Sequence, residues 1–346
     1  MMRIGAAKKQ ARKEMEEQEV QKWDSVLQHQ TFKTKLIPLS QKCARAMVKR
    51  YQISVLNHSK RLTSEELMHF ETLEETIHEY LSSFENGAFV RLSTRSPKDA
   101  VFFAPLARSR LFSQLLERFT LIYPNKFLLK QNLQIKDEYK ALTEQSVKAL
   151  KVCSGSEALD LLLNSERVMT DLLQALDFPD DWDIQLVVRE WQPDLRYKYE
   201  FRGFVYNGRL TALSQYDPSL FFQELSTDFT KDWIVQKISS FFMEQCATKL
   251  NKSGVNKYVI DFGILGEDND ADVIVIELNA WGSGTGSACF SWEKDFDILC
   301  GNASEEVVFR VVEMETWPDN WEEKISPEFV EIMDETRSHL SNDYSE

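Results

Sequence analysis

The stretch YVIDFGILGEDNDADVIVIELNAWGSGTG, Tyr258 to Gly286, decides how the rest of the chain is read. It opens with the apolar run Tyr258-Val259-Ile260, which meets an acid at Asp261. Gly266-Glu267-Asp268-Asn269-Asp270 comes next, and clusters of Gly, Asn and Asp turn a chain between two strands. The return run Val273 to Ile276 is β-branched throughout and ends in Glu277-Leu278-Asn279. Strand alternation places Glu277 and Asn279 on one side and Ile274, Ile276 and Leu278 on the other. With the turn centred on residues 267 to 270, Asp261 falls opposite Ile276 and Glu277, so three oxygen donors gather at one end of a hairpin. Such a set suits a hard cation such as Mg2+, which takes a few carboxylate and amide oxygens and completes its shell with phosphate and water. The plainer reading, Asp and Asn as turn residues with local hydrogen bonds, stays open for each of the three. It is weakest for Glu277, because a charge buried in an apolar strand needs a cation or an Arg to satisfy it. Asp261-Phe262-Gly263 copies the kinase metal-binding tripeptide, but no His-Arg-Asp loop and no Gly-rich loop with a strand Lys precede it, which argues against a protein kinase.

At 346 residues the chain is long enough for one large domain or two closely joined lobes. Its 41 basic against 55 acidic residues give a net charge of −14, which argues against a general nucleic-acid binder, since phosphate attraction is the main source of non-specific affinity. Room remains for one local basic pocket. Five cysteines show no CxxC or Cys/His metal spacing, and their odd number suits a reducing compartment; a cytoplasmic location is expected. No apolar run reaches the length of a membrane span.

Along the chain, residues 1 to 24 are charge-rich and helix-forming, a solvated helix or tail with a docking arm as the alternative. Thr63 with Glu66 makes a capping box before a helix with apolar positions Leu67, Phe70, Leu73, Ile77 and Leu81 at helical spacing. A short strand carrying Arg91 then runs into a loop with Arg95 and Lys98. Three cations within eight residues, mixed with Ser and Thr donors, point to an anion site. Residues 106 to 177 read as mainly helical, with one helix starting at Ser154 and continuing through ALDLLLNSERVMTDLLQAL. Strands come next at 184 to 189 and 199 to 205, and Asn207-Gly208 is a strong hairpin signal before the return strand 210 to 216. Arg202 lies beside Glu200, so a charge pair and a phosphate partner are both open for it. A helix from Asp232 to Leu250 leads into the hairpin at 258, and residues after about 331 read as a polar tail.

With these blocks in order, the chain resembles the cell division cycle protein 123 family, whose fold is a divergent ATP-grasp. The carrying motifs are VRLSTRSPKDA at 90 to 100, LVVREW at 186 to 191, YEFRGFVYNGRLTALSQYD at 199 to 217, VIDF with VIVIELNAWG at 259 to 282, and FSWE at 290 to 293. The resemblance implies an α+β, ATP-grasp-like fold of two lobes with a nucleotide cleft between them. The boundaries expected are a charged helical extension over 1–30, an N-terminal lobe over 31–185, a C-terminal lobe with the metal site over 186–330 and a polar tail over 331–346. By resemblance Arg91, Arg189 and Arg202 face the phosphates of ATP, with Lys98 in the same cofactor set. Glu190 and Trp191 fall at the lobe hinge beside the adenine, and Asp261, Glu277 and Asn279 match the metal-binding triad. Two positions depart from the family pattern: Arg stands for Lys at 91 and Glu for Asp at 277. Both keep charge, but the planar fork of Arg is not the point charge of Lys. The Gly-rich run at 282 to 287 is either a flexible connection or a set of backbone N–H groups facing phosphate.

Two functions compete. The resemblance implies an assembly chaperone that binds ATP and a protein partner, the gamma subunit of eukaryotic translation initiation factor 2. Most other ATP-grasp proteins are ligases that join a carboxylate to an amine or thiol through an acyl-phosphate. The residues leave the choice open.

Overall fold

The computed structural model describes residues 19–54, 61–123, 135–267, 270–314 and 325–343. The chain divides into two compact units, Lys35–Trp191 with Trp317–Glu346, and Met1–Thr34 with Gln192–Thr316. The crossing thus falls after Trp191, not before Leu186. The reason is pairing: the strand that carries Arg189 and Glu190 is hydrogen-bonded along its length to the strand that carries Arg91.

The first unit is a four-stranded sheet under helices. Its strands are β1 (Thr34–Pro38), β2 (Ala88–Leu92), β3 (Lys151–Val152) and β4 (Gln185–Glu190), in the order β1-β4-β2-β3. Ala88, Val90 and Leu92 alternate into the core with Leu186 and Val188, which leaves Phe89 and Arg91 on the other face. The expected capping box forms: Thr63 Oγ1 accepts from Glu66 N–H at 3.2 Å and Glu66 accepts from Thr63 N–H at 2.7 Å, opening the helix Ser64–Leu81. The single helix expected from Ser154 is instead two, Gly155–Leu163 and Glu166–Leu176. Ser165 makes the break, because its hydroxyl caps the second helix through Val168 N–H and donates to Asp99 at 2.6 Å.

The polar tail expected from 331 is corrected to a helix, Pro327–Asp343. Ile332, Met333 and Leu340 are buried on it, and Phe329 packs on Phe102 with ring centroids 4.8 Å apart. Its Arg337 reaches Glu138, which is fully buried and also accepts from the Tyr123 hydroxyl at 2.7 Å. The charged extension expected over 1–30 lies outside the described residues up to 18; Val20–Trp23 is a short helix with Val20 and Trp23 buried, and Leu27 is buried in the turns that follow it.

The second unit is built on a five-stranded sheet of β5 (Leu195–Tyr206), β6 (Arg209–Gln215), β7 (Tyr258–Leu265), β8 (Asp272–Asn279) and β9 (Val308–Arg310), ordered β8-β7-β5-β6-β9. All neighbours are antiparallel except β6 and β9. Asn207 and Gly208 turn β5 into β6 with φ of +50° and +73°, the left-handed pair that a two-residue hairpin demands. Gly203 is needed for a different reason: a Cβ there would lie 2.8 Å from Phe262 and 2.9 Å from Leu210. One face of the sheet packs against a helix, with Phe262 edge-on to Phe241 and Phe242. That helix runs Asp228–Phe241, widens into a π-turn over Phe242–Ala247 and resumes at Thr248–Lys252. Among the described residues no helix is long and apolar enough to cross a membrane.

Candidate functional site

The other face of the five-stranded sheet carries the hairpin acids. Asp261 pairs with Glu277 across β7 and β8, and with Arg202 across β7 and β5; Arg202 in turn pairs with Ser214 on β6. Partners directly opposite on neighbouring strands share a face, so Ser214, Arg202, Asp261 and Glu277 form one row. Asn279, opposite Val259, sits one step along.

The register contains a bulge between Asp261 and Phe262, where Ile276 is the extra residue on β8. It breaks the simple alternation expected from the sequence. Ile274, opposite Gly263, lies on the face of Asp261 and not on the far side. The bulge also decides that Glu277, not Ile276, faces Asp261.

Asp261 is 1% exposed and takes a two-pronged bond from Arg202, Nε to Oδ1 and Nη2 to Oδ2, both at 2.8 Å. Asn279 Nδ2 adds a third donor, 3.1 Å from Oδ2. The third nitrogen of Arg202, Nη1, donates to the carbonyl of Gly286 at 2.7 Å, and the guanidinium lies 5.0 Å over the ring of Tyr216. Burial works against the charge of Arg202, but the attraction and hydrogen bonds of Asp261, with Tyr216 and Glu277 behind them, outweigh it and hold the guanidinium firmly protonated. The residue read as phosphate-facing is therefore first of all the counter-charge of the residue read as metal-binding.

Does this cluster suit a hard cation? Oδ2 of Asp261 accepts from both Arg202 and Asn279, Oδ1 accepts from Arg202, and each oxygen of a carboxylate offers two acceptor positions. Glu277 and Asn279 are half-buried rather than sealed in. Among the described residues no three His, Cys, Asp or Glu side chains converge as an all-protein cage. The donor set is two carboxylates and an amide beside one guanidinium, net charge −1, which suits Mg2+ sharing its shell with phosphate oxygens and water.

The Gly-rich run is a braced turn and not a flexible connection. Thr285 N–H bonds the Gly282 carbonyl, Thr285 Oγ1 donates to the Ala280 carbonyl at 2.6 Å, and Trp292 Nε1 donates to the Thr285 carbonyl at 2.6 Å. The two aromatic residues of the FSWE motif prove to be packing. Phe290 and Trp292 both sit 5.5 Å from Phe204, and Trp281 sits 5.2 Å from Trp292. Sequence reading missed an ion pair just beyond the motif, where Asp295 meets Arg310 in fork geometry at 2.8 and 2.9 Å.

The remaining cationic candidates belong to the four-stranded sheet. Phe89 pairs with Arg189 and Arg91 with Val187, so Arg91 and Arg189 are diagonal neighbours on the face turned from the core. They are 8% and 3% exposed, and Arg91 Nε donates to the Leu92 carbonyl at 3.0 Å. Glu190, opposite Ala88, points to the other face, and Trp191 N–H bonds the Gly87 carbonyl at the last residue of this segment of the unit. Lys98 is exposed on the loop. Arg95, the third cation expected there, pairs with Asp171 at 2.8 Å and ties the loop to the helix Glu166–Leu176.

A mixed α+β fold with these two sheets has a solved counterpart. Cdc123 from Schizosaccharomyces pombe superposes with a TM-score of 0.57 at 20% sequence identity, over 87% of this chain and 97% of that one. The family model described as D123 matches residues 140–332, more than half of the sequence, and the chain belongs to the D123 family. Among named relatives, a translation initiation factor eIF2 assembly protein of Candida albicans is 26% identical over 156 residues, 42% of each chain. The protein of the same name from Xenopus laevis is 29% identical over 158 residues, 44% of each chain. A CDC123-like protein of Acanthamoeba polyphaga mimivirus is 24% identical over 273 residues, 78% of this chain and 65% of that one. The chain thus spans less than two thirds of the length of these relatives.

Proposed function

We propose that the chain is an assembly chaperone for translation initiation factor 2 and that it binds ATP with magnesium. The observation that carries the nucleotide part is the gathering of Asp261, Glu277 and Asn279 on one sheet face, with Asp261 oriented by Arg202. Asp261 Oδ1, the Glu277 carboxylate and the Asn279 amide oxygen would hold the cation. Arg91 and Arg189 keep the phosphate role implied by the family, Lys98 belongs to the cofactor set through its anion-site loop, and Glu190 and Trp191 keep the adenine role. The assembly part is supported by the names of the relatives, which are eIF2 assembly proteins. A net charge of −14 favours a basic protein surface as partner and makes the encounter salt-sensitive.

The test is capture of purified initiation-factor gamma subunit by the full chain at low and high salt, with magnesium and ATP or with EDTA. A complex that weakens with salt and with EDTA is expected. No complex under any of these conditions overturns the chaperone reading.

A further inference from the structure

β8 is the outer strand of the five-stranded sheet, and an open strand edge invites pairing. Here the chain ahead of β1 lies against it. Thr31 forms a parallel bridge with Val275: the N–H of Val275 donates to the Gln30 carbonyl at 2.7 Å, and the Thr31 hydroxyl donates to the Val275 carbonyl at 2.7 Å. The segment is anchored where it makes this contact. Val20, Trp23 and Leu27 are at most 2% exposed, and Lys249 Nζ donates to Gln30 Oε1 at 2.6 Å.

The place of contact matters because of the bulge. From Leu265 opposite Asp272 the two strands pair one to one as far as Phe262 opposite Val275, and then Ile276 is skipped so that Glu277 meets Asp261. Without the bulge Ile276 would face Asp261, and Glu277 would turn to the opposite side of the sheet. One residue of register therefore decides whether a carboxylate or an alkyl group completes the row. A bulge leaves its strand locally short of ladder bonds, so something else has to hold it. Val275 is the residue immediately before it, and both of its backbone groups are bonded to Gln30 and Thr31.

We infer that Gln30 and Thr31 form a strap that locks the β8 bulge, and that Thr31 is a positioning residue for Glu277 and so for the cation. Thr31 acts through the backbone of Val275 and touches no ligand. For its ligand-binding consequence the inference rests on the magnesium–ATP reading; for its structural consequence it stands on the hydrogen bonds alone.

Thr31→Val keeps the shape of the side chain and removes the donor, while Thr31→Ser keeps the donor. Hydrogen exchange and calorimetry on the full chain separate the two consequences. The expected result for Thr31→Val is faster exchange of the amides at 275 to 279, with β5 and β6 unchanged. ATP affinity in magnesium should fall about tenfold, the low end for losing an outer partner of a metal ligand, with affinity in EDTA unchanged. Thr31→Ser should restore both. Unchanged exchange at 275 to 279 overturns the strap. Faster exchange with full magnesium-dependent affinity overturns the positioning role, as does an equal loss with and without magnesium. Wild-type protein that binds no ATP removes the nucleotide reading only, and the exchange result still decides whether the strap holds the bulge.

Discussion

Two buried ion pairs, one in each unit, share their chemistry and differ in their surroundings. Arg337 and Glu138 join helices 199 residues apart in sequence, and the Tyr123 hydroxyl fills a further acceptor position on Glu138. Burial, with the bonds to Glu138, pushes the Tyr123 hydroxyl well above its ordinary value, so it stays a donor at any ordinary pH. Arg202 and Asp261 lie on adjacent strands of one sheet, and the row continues into Glu277 and Asn279, which are half-buried. In the first pair the carboxylate is fully buried and Arg337 also donates to Asp334 of its own helix at 3.0 Å, so the pair does one thing, fixing the last helix. The second is open on one side. A buried pair by itself says little about function; half-buried oxygens in the same row say more.

The largest expected effect comes from halving the Arg337–Glu138 pair. Arg337→Met leaves Glu138, fully buried, without its counter-charge, and should lower unfolding stability by about 3–5 kcal/mol. Adding Glu138→Leu with Tyr123→Phe should recover most of the loss, because apolar groups replace the two ions and no buried hydroxyl is left without its acceptor. Denaturant midpoints for the two variants check this, and no recovery would mean that the pair contributes more than the removal of a stranded charge.

Arg202→Met should cost a similar amount for the same reason, but should respond differently to magnesium. It leaves Asp261 facing Glu277 with no guanidinium between β5 and β7. Magnesium alone should then raise the melting temperature of this variant, as a cation takes the vacated charge, and should leave Arg337→Met unmoved. Equal insensitivity of both variants would count against the row as a cation site.

A smaller effect concerns pH. The hydrogen bond from Arg310 holds the Asp295 carboxyl below its ordinary value. The sign comes from linkage: a depressed carboxylate contributes its stability at pH above the unfolded value and loses it as pH falls through the lower folded value. Arg310→Gln should therefore flatten acid unfolding in that window, as acid titration of the unfolding midpoint would reveal; an unchanged acid limb would mean that Asp295 owes its low value to other groups.

The smallest is in thiol chemistry. Burial pushes Cys43 up to about 11 and Cys246 up to about 12, while Cys153 is exposed. Alkylation of the folded protein at neutral pH should mark Cys153 first and Cys246 last. Mass spectrometry of a time course gives the order.

The hairpin at 258 to 279 is legible in the sequence because a Gly/Asn/Asp turn and a β-branched return run are local signals, and so are the Thr63 capping box and the Asn207-Gly208 turn. The bulge is not. Alternation counts every residue, so nothing in VIVIELN marks Ile276 as the one that drops out. The partner of Arg202 is hidden for another reason: it stands 59 residues away on a strand that becomes a neighbour only in the sheet. The final helix carries its apolar contacts, Phe329, Ile332, Met333 and Leu340, at helical spacing, but the charged and polar residues between them give the segment the composition of a tail. Arg337 reads as surface until Glu138 is known to be buried beneath it.

The claim that Asp261, Glu277 and Asn279 hold the cation of bound ATP is tested most directly at Glu277, the half-buried acid whose removal leaves the Arg202–Asp261 pair in place. Calorimetric titration of ATP into wild type and Glu277→Gln, each in magnesium and in EDTA, isolates the metal contribution. The account predicts tight, magnesium-dependent binding by wild type, and for Glu277→Gln an affinity in magnesium that drops close to the common EDTA value. Undiminished magnesium dependence in Glu277→Gln would contradict it.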